Sequence, residues 1–239
     1  MELNKIYNED CLEGMKRIPD KSVDMILCDL PYGTTRNKWD SIIPLEPLWE
    51  QYERVIKDNG AIVLTAQTPF DKVLGVSNLK HLKYEWIWQK AQGTGHLNAK
   101  KMPMKNHENI LVFYKKPPTY NPQMVGDETR KVRRSGLHAK TTNYGKFVEI
   151  SESEYRGRYP LSIQFFDRDN VKLHPTQKPV ALFEYLIKAY TNENETILDN
   201  CMGSATTAIA CINTNRNFIG FELDETYFNL ANERISNHK

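Results

Sequence analysis

Short apolar runs alternate with amphipathic stretches along most of this chain. The apolar runs have strand length, and they predict β-strands over residues 4–7, 23–28, 61–66, 84–90, 110–114, 196–199 and 218–222. The stretches between them have helical periodicity, and they predict helices over residues 11–18, 45–57, 69–79 and 180–190, with another from Ala208 onward. The polar residues 58–60 are expected to end the second helix. This alternation predicts an α/β fold, a Rossmann-like and mostly parallel sheet with helices on both faces.

Residues 92–164 interrupt the alternating pattern. Their periodicity is weak, and basic side chains are interleaved with aromatic ones. A basic cluster within the interval contains Arg130, Lys131, Arg133 and Arg134. Basic and aromatic residues together suit phosphate contacts and packing against bases. We therefore predict an inserted basic region at 92–164, with residues 1–91 and 165–239, plus the strand near 110–114, forming one α/β domain.

The charge of the chain is unevenly distributed. The formal net charge is only +2, yet residues 90–175 contain 16 Lys or Arg and 8 Asp or Glu, so the remainder is acidic. A basic segment within an otherwise acidic protein suggests that it binds a polyanion. Solvated loops are also often rich in lysine, so the charge alone does not establish nucleic-acid binding.

Length and composition limit the class of protein. A chain of 239 residues with 40% apolar residues can bury a sizeable core. Neither a signal peptide nor an apolar run of membrane-spanning length is visible, so we expect a soluble cytoplasmic protein. The four cysteines lack the paired spacing of metal ligands. We expect them to be reduced packing residues and expect no metal site.

The first candidate site follows the strand at 23–28. Asp29 comes at its carboxyl end, and Pro31 and Gly33 force the backbone to turn around Tyr32. In open α/β sheets ligands bind at this edge. An ordinary exit from a strand into a loop would explain these residues as well.

The second candidate site follows the strand at 196–199. Asp199 precedes a turn of small residues through Gly203 and then a helix N-terminus, which lets a ligand approach the backbone closely. Glu222 ends the next strand about 20 residues later, where a ribose-binding carboxylate is expected. A nicotinamide-dependent enzyme would share both features, so they do not identify the cofactor by themselves.

Three motifs together resemble one enzyme family. Asp29-Leu30-Pro31-Tyr32 resembles the D-P-P-Y signature of DNA amino-methyltransferases, which methylate an exocyclic nitrogen of adenine or cytosine. Residues 174–179 (HPTQKP) are similar to the family segment that lies against the methionine part of S-adenosylmethionine, and residues 199–207 resemble its D-P-F-x-G-S-G-T-T turn. Their order resembles the β group, in which the catalytic motif comes first and the cofactor motif last. The resemblance covers roughly residues 3–67, 84–115 and 172–235 and implies a circularly permuted class I methyltransferase fold.

The resemblance also implies ligands and residue roles. The cofactor is expected to be S-adenosyl-L-methionine and the partner DNA; members of the group commonly form homodimers, which the residues do not decide here. Catalytic roles are implied for Asp29, Pro31 and Tyr32. The expected cofactor-binding residues are Asp29, His174, Thr176, Lys178, Asp199, Met202, Gly203, Ser204, Thr206 and Glu222. The expected substrate-binding residues are Asp10, Tyr32, Trp39, Arg130, Lys131, Arg133 and Arg134.

Two of these assignments have simpler alternatives, and two motifs depart from the family pattern. Asp10 is explained equally well as a helix cap, and Trp39 as an anchor for its loop. Leu30 replaces the first Pro of D-P-P-Y, which is a mild change because Pro31 remains. In the cofactor turn, the usual Pro, Phe and second Gly are replaced by Asn200, Cys201 and Ala205, which leaves the affinity for the cofactor open.

The predicted function is site-specific methylation of the N6 amino group of adenine in DNA. Hydrogen bonds from the amine to Asp29 and to the Leu30 carbonyl would orient its lone pair, and the target base would first be flipped out of the duplex. Asp29 together with Trp39-Asp40 favours adenine, because cytosine-N4 enzymes of the group commonly have Ser in place of the Asp. The alternatives are a cytosine-N4 enzyme, a methyltransferase that acts on RNA or on protein amides, and a DNA-binding relative with weakened catalysis.

Overall fold

The computed structural model describes residues 1–34, 40–132, 153–170, 173 and 176–238. The strands are β1 Lys5–Tyr7, β2 Val23–Asp29, β3 Ile56–Ala66, β4 Leu82–Thr94, β5 Lys105–Phe113, β6 Val125–Val132, β7 Ser153–Arg158, β8 Ile163–Phe165, β9 Thr196–Asp199 and β10 Asn217–Phe221. The helices are α1 Cys11–Met15, α2 Leu45–Val55, α3 Phe70–Ser77, α4 Val180–Tyr190, α5 Thr206–Asn213 and α6 Glu225–Ser236, and a short 3₁₀ turn spans His96–Asn98.

One sheet of eight strands organises the larger part of the chain. Its strand order is β1-β10-β9-β2-β3-β5-β4-β8. The pairings from β1 through β3 are all parallel, β5 is antiparallel to both β3 and β4, and β8 is parallel to β4. The late strands β9 and β10 therefore lie between β1 and β2. The predicted Rossmann-like, mostly parallel α/β sheet is confirmed, and the circular permutation stays a prediction.

Helices cover both faces of this sheet. Because successive strand residues point to opposite faces, Met25 and Leu27 pack into one apolar cluster with α4, α5 and α6, whereas Ile26 and Cys28 pack into another with α1, α2 and α3. Both clusters are fully buried around β2. The central strand is therefore apolar from Met25 to Cys28 and becomes polar at Asp29, where it reaches the edge of the sheet.

The first three helices end earlier than the sequence predicts, and α3 ends at Ser77 rather than at residue 79. The helix predicted at 11–18 ends at Met15, because the N–H groups of Arg17 and Ile18 donate to carbonyls three residues earlier and tighten the last turn. The helix predicted at 45–57 ends at Val55, and residues 58–60 lie inside β3. Val23 pairs with Ile56 but Met25 pairs with Ala61, so the intervening residues of β3 bulge against β2. The Asp-Asn-Gly sequence at 58–60, which predicted the end of a helix, instead marks an irregularity in β3.

The chain divides into two compact units at boundaries that differ from the predicted ones. The larger unit contains residues 1–121 and 162–239, and the smaller one residues 122–161. Residues 92–121 belong to the larger unit because β4 extends to Thr94, β5 begins at Lys105, and the Asn121 N–H donates to the Ala189 carbonyl of α4 at 2.7 Å. The smaller unit contains the antiparallel pair of β6 and β7.

The described residues contain neither a helix that could span a membrane nor a cluster of metal-ligating side chains. Within the described ranges, no helix has the length and apolar character needed to cross a membrane. The same residues contain no group of three or more His, Cys, Asp or Glu side chains placed to hold a metal ion.

Candidate active site

The carboxyl ends of β2 and β9 open into one cavity of about 710 Å³. The two strands are neighbours in the sheet, so the corner after Asp29 and the turn around Gly203 lie side by side although they are far apart in sequence. The predicted residues that line this cavity are Asp10, Asp29, Pro31, Tyr32, Thr176, Lys178, Asp199, Met202, Gly203, Ser204, Thr206 and Glu222. The structure therefore brings both predicted corners into a single cleft.

The Asp29 carboxylate is held by three donors. Asp29 is the last residue of β2 and pairs with Thr65 of β3. The Tyr32 hydroxyl donates to Asp29 Oδ1 at 2.8 Å, and the Thr65 hydroxyl donates to the same oxygen. The Lys178 ammonium lies 2.6 Å from Oδ2. Both carboxylate oxygens are thus fixed by neighbours from separate elements.

Tyr32 lies between an aromatic ring and a cation. Its ring stacks on Phe70 with centroids 5.4 Å apart, and Lys178 Nζ lies 5.4 Å from the centroid of the Tyr32 ring. Burial raises the pKa of the Tyr32 phenol well above its usual value, and the nearby Asp29 and Glu108 carboxylates add to this. The phenol therefore stays protonated and acts as a donor to Asp29.

Asp40 stabilises the turn that follows Tyr32. The N–H groups of Gly33 and Thr34 each donate to an Asp40 carboxylate oxygen at 2.9 Å. Asp40 is buried, and its carboxylate thus holds the backbone at Gly33 and Thr34 in place. Trp39, which precedes it and was predicted to bind substrate, lies outside the described residues.

Lys178 belongs to a buried group of charged side chains. Its ammonium bonds Asp29 and lies 3.3 Å from Glu108 Oε2, while Lys90 contacts the other Glu108 oxygen. Burial lowers the pKa of Lys178, but the Asp29 and Glu108 carboxylates outweigh burial and raise it above its usual value. Burial acts to raise the pKa of Glu108, yet the two ammonium groups bring it below its ordinary range. The pKa of Lys90 is lowered, mainly by burial.

Glu222 ties the glycine turn to the end of β10. The Gly203 N–H donates to Glu222 Oε2 at 2.7 Å, and the Asp224 N–H donates to Oε1 at 2.9 Å. Gly203 has a φ of +53°, in the left-handed region that favours glycine. Burial raises the pKa of Glu222. Each carboxylate oxygen keeps further acceptor capacity, since an ionised carboxylate accepts about four hydrogen bonds.

Asp199 organises the same turn from the end of β9. Its Oδ1 accepts the Cys201 N–H at 3.0 Å, and its Oδ2 accepts the Thr207 hydroxyl. Asp199 is buried, and burial raises its pKa to about 6 despite these donors. Asp199 thus mainly supports the backbone that lines the cavity.

The residues that replace the family's usual Pro and Phe make their own contacts. The Asn200 side chain accepts a hydrogen bond from the Tyr52 hydroxyl of α2, and its Nδ2 lies 3.5 Å from the thiol sulfurs of Cys11 and Cys201. Ala205, which replaces the second Gly, has a φ of +64°. The altered turn is therefore bonded to the surrounding helices, and Ala205 keeps the backbone conformation that a glycine would adopt there.

Three further predicted residues surround the start of α5. The Thr206 hydroxyl donates to the Lys178 carbonyl at 3.4 Å, and the Ser204 hydroxyl lies 3.3 Å from Gln177 Oε1. Thr176 is exposed at the cavity and its carbonyl accepts from Lys178 Nζ at 3.5 Å. These contacts connect residues 176–178 to the glycine turn.

Asp10 caps α1 and also lines the cavity. Its Oδ1 accepts the N–H groups of Leu12 and Glu13 at 2.9 and 3.2 Å, which makes it the N-cap of α1. It also lines the cavity. The capping role is confirmed, and contact with substrate stays a prediction.

The structure does not test the roles of the remaining predicted residues. Arg133, Arg134 and His174 lie outside the described residues. Arg130 is described only through its backbone in β6, and Lys131 is exposed in the same strand of the smaller unit. Their predicted roles stay predictions.

Sequence reasoning missed Thr65, Glu108 and Lys90. Thr65 is the single hydroxyl in the apolar run of β3, level with Asp29. Glu108 is a buried acid at the start of the apolar part of β5, and Lys90 is a buried base in β4. A polar side chain within a run that otherwise reads as core is the signal that could have identified all three.

Solved structures share this fold. A complex of M1.HpyAVI with SAM aligns with 96% of this chain and 98% of its own, with a TM-score of 0.67 and 26% identity. The PvuII DNA methyltransferase, described as cytosine-N4-specific, aligns with 96% of this chain and 85% of its own, with a TM-score of 0.72 and 14% identity. The fold is thus that of these α/β methyltransferases.

Sequence comparison then defines the family. The family described as DNA methylase, which groups N6 and N4 enzymes, matches residues 23–233. The type II methyltransferase M1.MboII of Moraxella bovis is 30% identical over 254 residues, which cover 97% of this chain and 96% of its own. The DNA adenine methyltransferase YhdJ of Escherichia coli is 28% identical over 251 residues, covering 98% and 83%. The chain belongs to this family of N6/N4 DNA methyltransferases.

Proposed function

We propose that this protein is a site-specific methyltransferase that modifies the N6 amino group of adenine in DNA. The observation that supports this best is the Asp29 carboxylate, held at the end of β2 beside Tyr32, in the cavity that also contains the Gly203 turn. A carboxylate placed there can accept an N–H of a base amine close to the cofactor.

The methyl donor is S-adenosyl-L-methionine, which supplies an electrophilic methyl group on a sulfonium. The residues present fit it. The cavity of about 710 Å³ is within the range of about 300–1,000 Å³ that is usual for cofactor sites. Glu222 has acceptor capacity left for ribose hydroxyls, and the Gly203 turn permits close approach to the backbone. His174, Thr176 and Lys178 are assigned to the methionine part.

The chain's own residues would prepare the amine for attack. An exocyclic amine is a poor nucleophile because its lone pair is delocalised into the ring; Asp29 and the Leu30 carbonyl would each accept one of its N–H groups. Asp29 Oδ1 already accepts from the hydroxyls of Tyr32 and Thr65. An incoming amine that bonds Oδ1 therefore has to replace one of these donors. Displacement of the Tyr32 hydroxyl would free its ring to stack on the flipped base, an interaction of about 1–3 kcal/mol.

The types of residue in and after the catalytic motif favour adenine over cytosine as the target base. The motif begins with Asp29 rather than Ser, and Trp39-Asp40 follows it. The DNA adenine methyltransferase YhdJ is among the similar proteins, whereas the cytosine-N4-specific PvuII enzyme has the same fold, so the fold does not choose the base. A cytosine-N4 activity is the second candidate.

DNA rather than a protein amide is favoured by charge near the cleft. Residues 91–107 contain three lysines and no Asp or Glu, and Thr94 within this segment lines the cavity. Lys100 and Lys101 are exposed. Such a surface suits a phosphate backbone, and a DNA substrate agrees with a cytoplasmic site of action.

The test is a nucleoside analysis with an Asp29→Ala variant. Purified protein is incubated with genomic DNA and labelled cofactor, and digested nucleosides are identified by mass spectrometry. We expect N6-methyladenine from the wild type. We expect Asp29→Ala to lower kcat by about 10³-fold or more, because it removes a fixed acceptor of the reacting amine, while cofactor binding by calorimetry remains measurable.

A matched control separates this effect from the loss of any carboxylate. Glu50 is an exposed residue of α2, and Glu50→Ala should methylate at the wild-type rate. N4-methylcytosine as the product would replace the adenine proposal with the second candidate. Transfer only to RNA or protein, or near-normal methylation by Asp29→Ala, would contradict the proposed function.

A further inference from the structure

Four charged side chains of alternating sign lead from the reactive corner into the protein. Asp29 bonds Lys178, Lys178 lies 3.3 Å from Glu108, and Glu108 contacts Lys90. Lys178, Lys90 and Glu108 are 4%, 7% and 8% exposed. Their charges sum to zero with that of Asp29. Since burying an unpaired charge is strongly unfavourable, each member depends on its neighbours.

The four side chains come from separate elements. Asp29 ends β2, Lys178 lies just before α4, Lys90 is in β4 and Glu108 is in β5, where Trp88 and Glu108 are register partners. Lys90 Nζ also lies 4.8 Å from the centroid of the Trp88 ring. The chain of charges thus connects the central parallel strand to the antiparallel strands of the sheet.

The location of this group indicates a role beyond stability. Buried ion pairs contribute little net stability compared with apolar residues of similar size. Lys90, Glu108 and Lys178 all border the same cavity as Asp29, and Glu108 Oε2 lies 3.5 Å from the Tyr32 hydroxyl. The cluster therefore contacts Asp29 and Tyr32, the two residues assigned to the target base.

We propose that Glu108 and Lys90 are positioning residues for methyl transfer: they fix Lys178, and Lys178 fixes the Asp29 carboxylate for the target amine. Lys178 holds Oδ2, so the carboxylate cannot rotate without breaking that bond, and Oδ1 faces Tyr32 and Thr65. The inference rests on the proposed function only in that Asp29 accepts the reacting amine.

Glu108→Gln tests the first link. Each Glu108 oxygen meets an ammonium group, and an amide offers one oxygen and one N–H₂ group. The amide must therefore present a donor to either Lys90 or Lys178. We expect kcat to fall about 10–100-fold through loss of positioning. The cofactor dissociation constant should change less than about threefold, because Glu108 is not assigned to the cofactor and Lys178, which is, is retained in this variant.

Lys90→Met supplies the second single variant. It leaves Lys178 shared between two carboxylates, and the cluster then carries a net negative charge. Lys178 is drawn toward Glu108, so we expect a kcat loss of about 3–30-fold.

The double variant gives the decisive comparison. In Glu108→Gln with Lys90→Met, the amide N–H₂ no longer meets an ammonium, its oxygen can accept from Lys178, and the cluster is neutral again. We expect a higher kcat for the double variant than for either single variant, within about fivefold of the wild type. A role in stability alone would not restore kcat while leaving cofactor affinity unchanged throughout.

Controls keep the outcomes distinct. Lys116→Met removes the charge of a surface lysine paired with Asp58 and should leave kcat unchanged. Wild-type kcat for Glu108→Gln, or a folded, cofactor-binding double variant no faster than both single variants, would overturn the proposal. Should Glu108→Gln not fold, recovery from Lys90→Met to the double variant decides. The nucleoside product of the wild type tests the proposed function, whereas the order of the variants' kcat tests this inference.

Discussion

Asp199 shows how burial and hydrogen bonding compete at a single residue. Its pKa is raised to about 6 by burial, against about 3.9 in an unfolded chain. The folded state therefore binds the proton more tightly. The stability that this proton contributes is fully present below about pH 4 and is lost as the pH rises through about 6.

Asp199→Asn should remove this pH dependence. We expect the free energy of unfolding of the wild type, relative to the variant, to rise by about 2–3 kcal/mol as the pH falls from about 7.5 to 4. Urea unfolding of both proteins at several pH values measures it. Glu50→Gln, on the exposed face of α2, controls for the loss of a carboxylate as such. A constant difference between wild type and Asp199→Asn would contradict the assignment.

Sequence reasoning at the residue scale was reliable where a motif repeated a known local geometry. Asp29, Tyr32, Gly203 and Glu222 line one cavity as expected. It failed for Glu108, because the partners of that residue come from β4 and from the segment before α4, and no local pattern specifies which distant charges a strand residue meets. The side-chain network is a tertiary property.

The element scale shows where packing overrides local preference. Gly14 lies in α1, and a β-carbon there would be 2.2 Å from Cε1 of Phe221, whose ring is fully buried. The helix can approach β10 this closely only without a side chain at that position. The usual gain from replacing a helical glycine with alanine should therefore reverse its sign.

Gly14→Ala should destabilise the protein by about 1–3 kcal/mol through overpacking. Gly75→Ala in α3 is the matched control, because its β-carbon would lie 3.4 Å from Leu82 Cδ2, an ordinary contact. That change should stabilise by up to about 1 kcal/mol, the helix-propensity gain. Thermal and urea unfolding of both variants measure the difference, and a stabilising Gly14→Ala would show that Phe221 yields easily.

Element boundaries were predictable where the local signal and the packing agree. α4 and β9 have the predicted bounds. Pro179 directly precedes the apolar periodic run of α4, and polar turns flank the short apolar run of β9. Residues 58–60 misled the prediction because a bulged strand and a helix stop share the same Asp-Asn-Gly composition. Only the pairing of β3 with β2 distinguishes the two.

At the scale of the whole molecule, exposed pairs of lysines lie at both ends of β4. The segment between β4 and β5 follows Thr94 at the cavity and carries Lys100 and Lys101. Lys80 and Lys83 are also exposed, but they lie at the opposite end of β4. The two lysine pairs thus carry the same charge and differ only in where they lie on the surface.

Replacing Lys100 and Lys101 with Gln should weaken DNA binding and lower the slope of log K against log salt by up to about 2, since each phosphate contact contributes about 0.9. Replacing Lys80 and Lys83 in the same way should leave the slope unchanged. Fluorescence anisotropy with a labelled duplex over a range of salt measures both. Equal slopes for the two double variants would exclude this segment from the DNA interface.

The placement of β9 and β10 between β1 and β2 has a consequence for how the protein is made. As the chain leaves the ribosome, β2 is complete long before either of the strands that separate it from β1, and its apolar edge has no partner on that side. The cleft cannot exist until the last fifth of the chain has emerged. Until β9 and β10 have been synthesised, we therefore expect the nascent chain to expose an unpaired and aggregation-prone edge of β2.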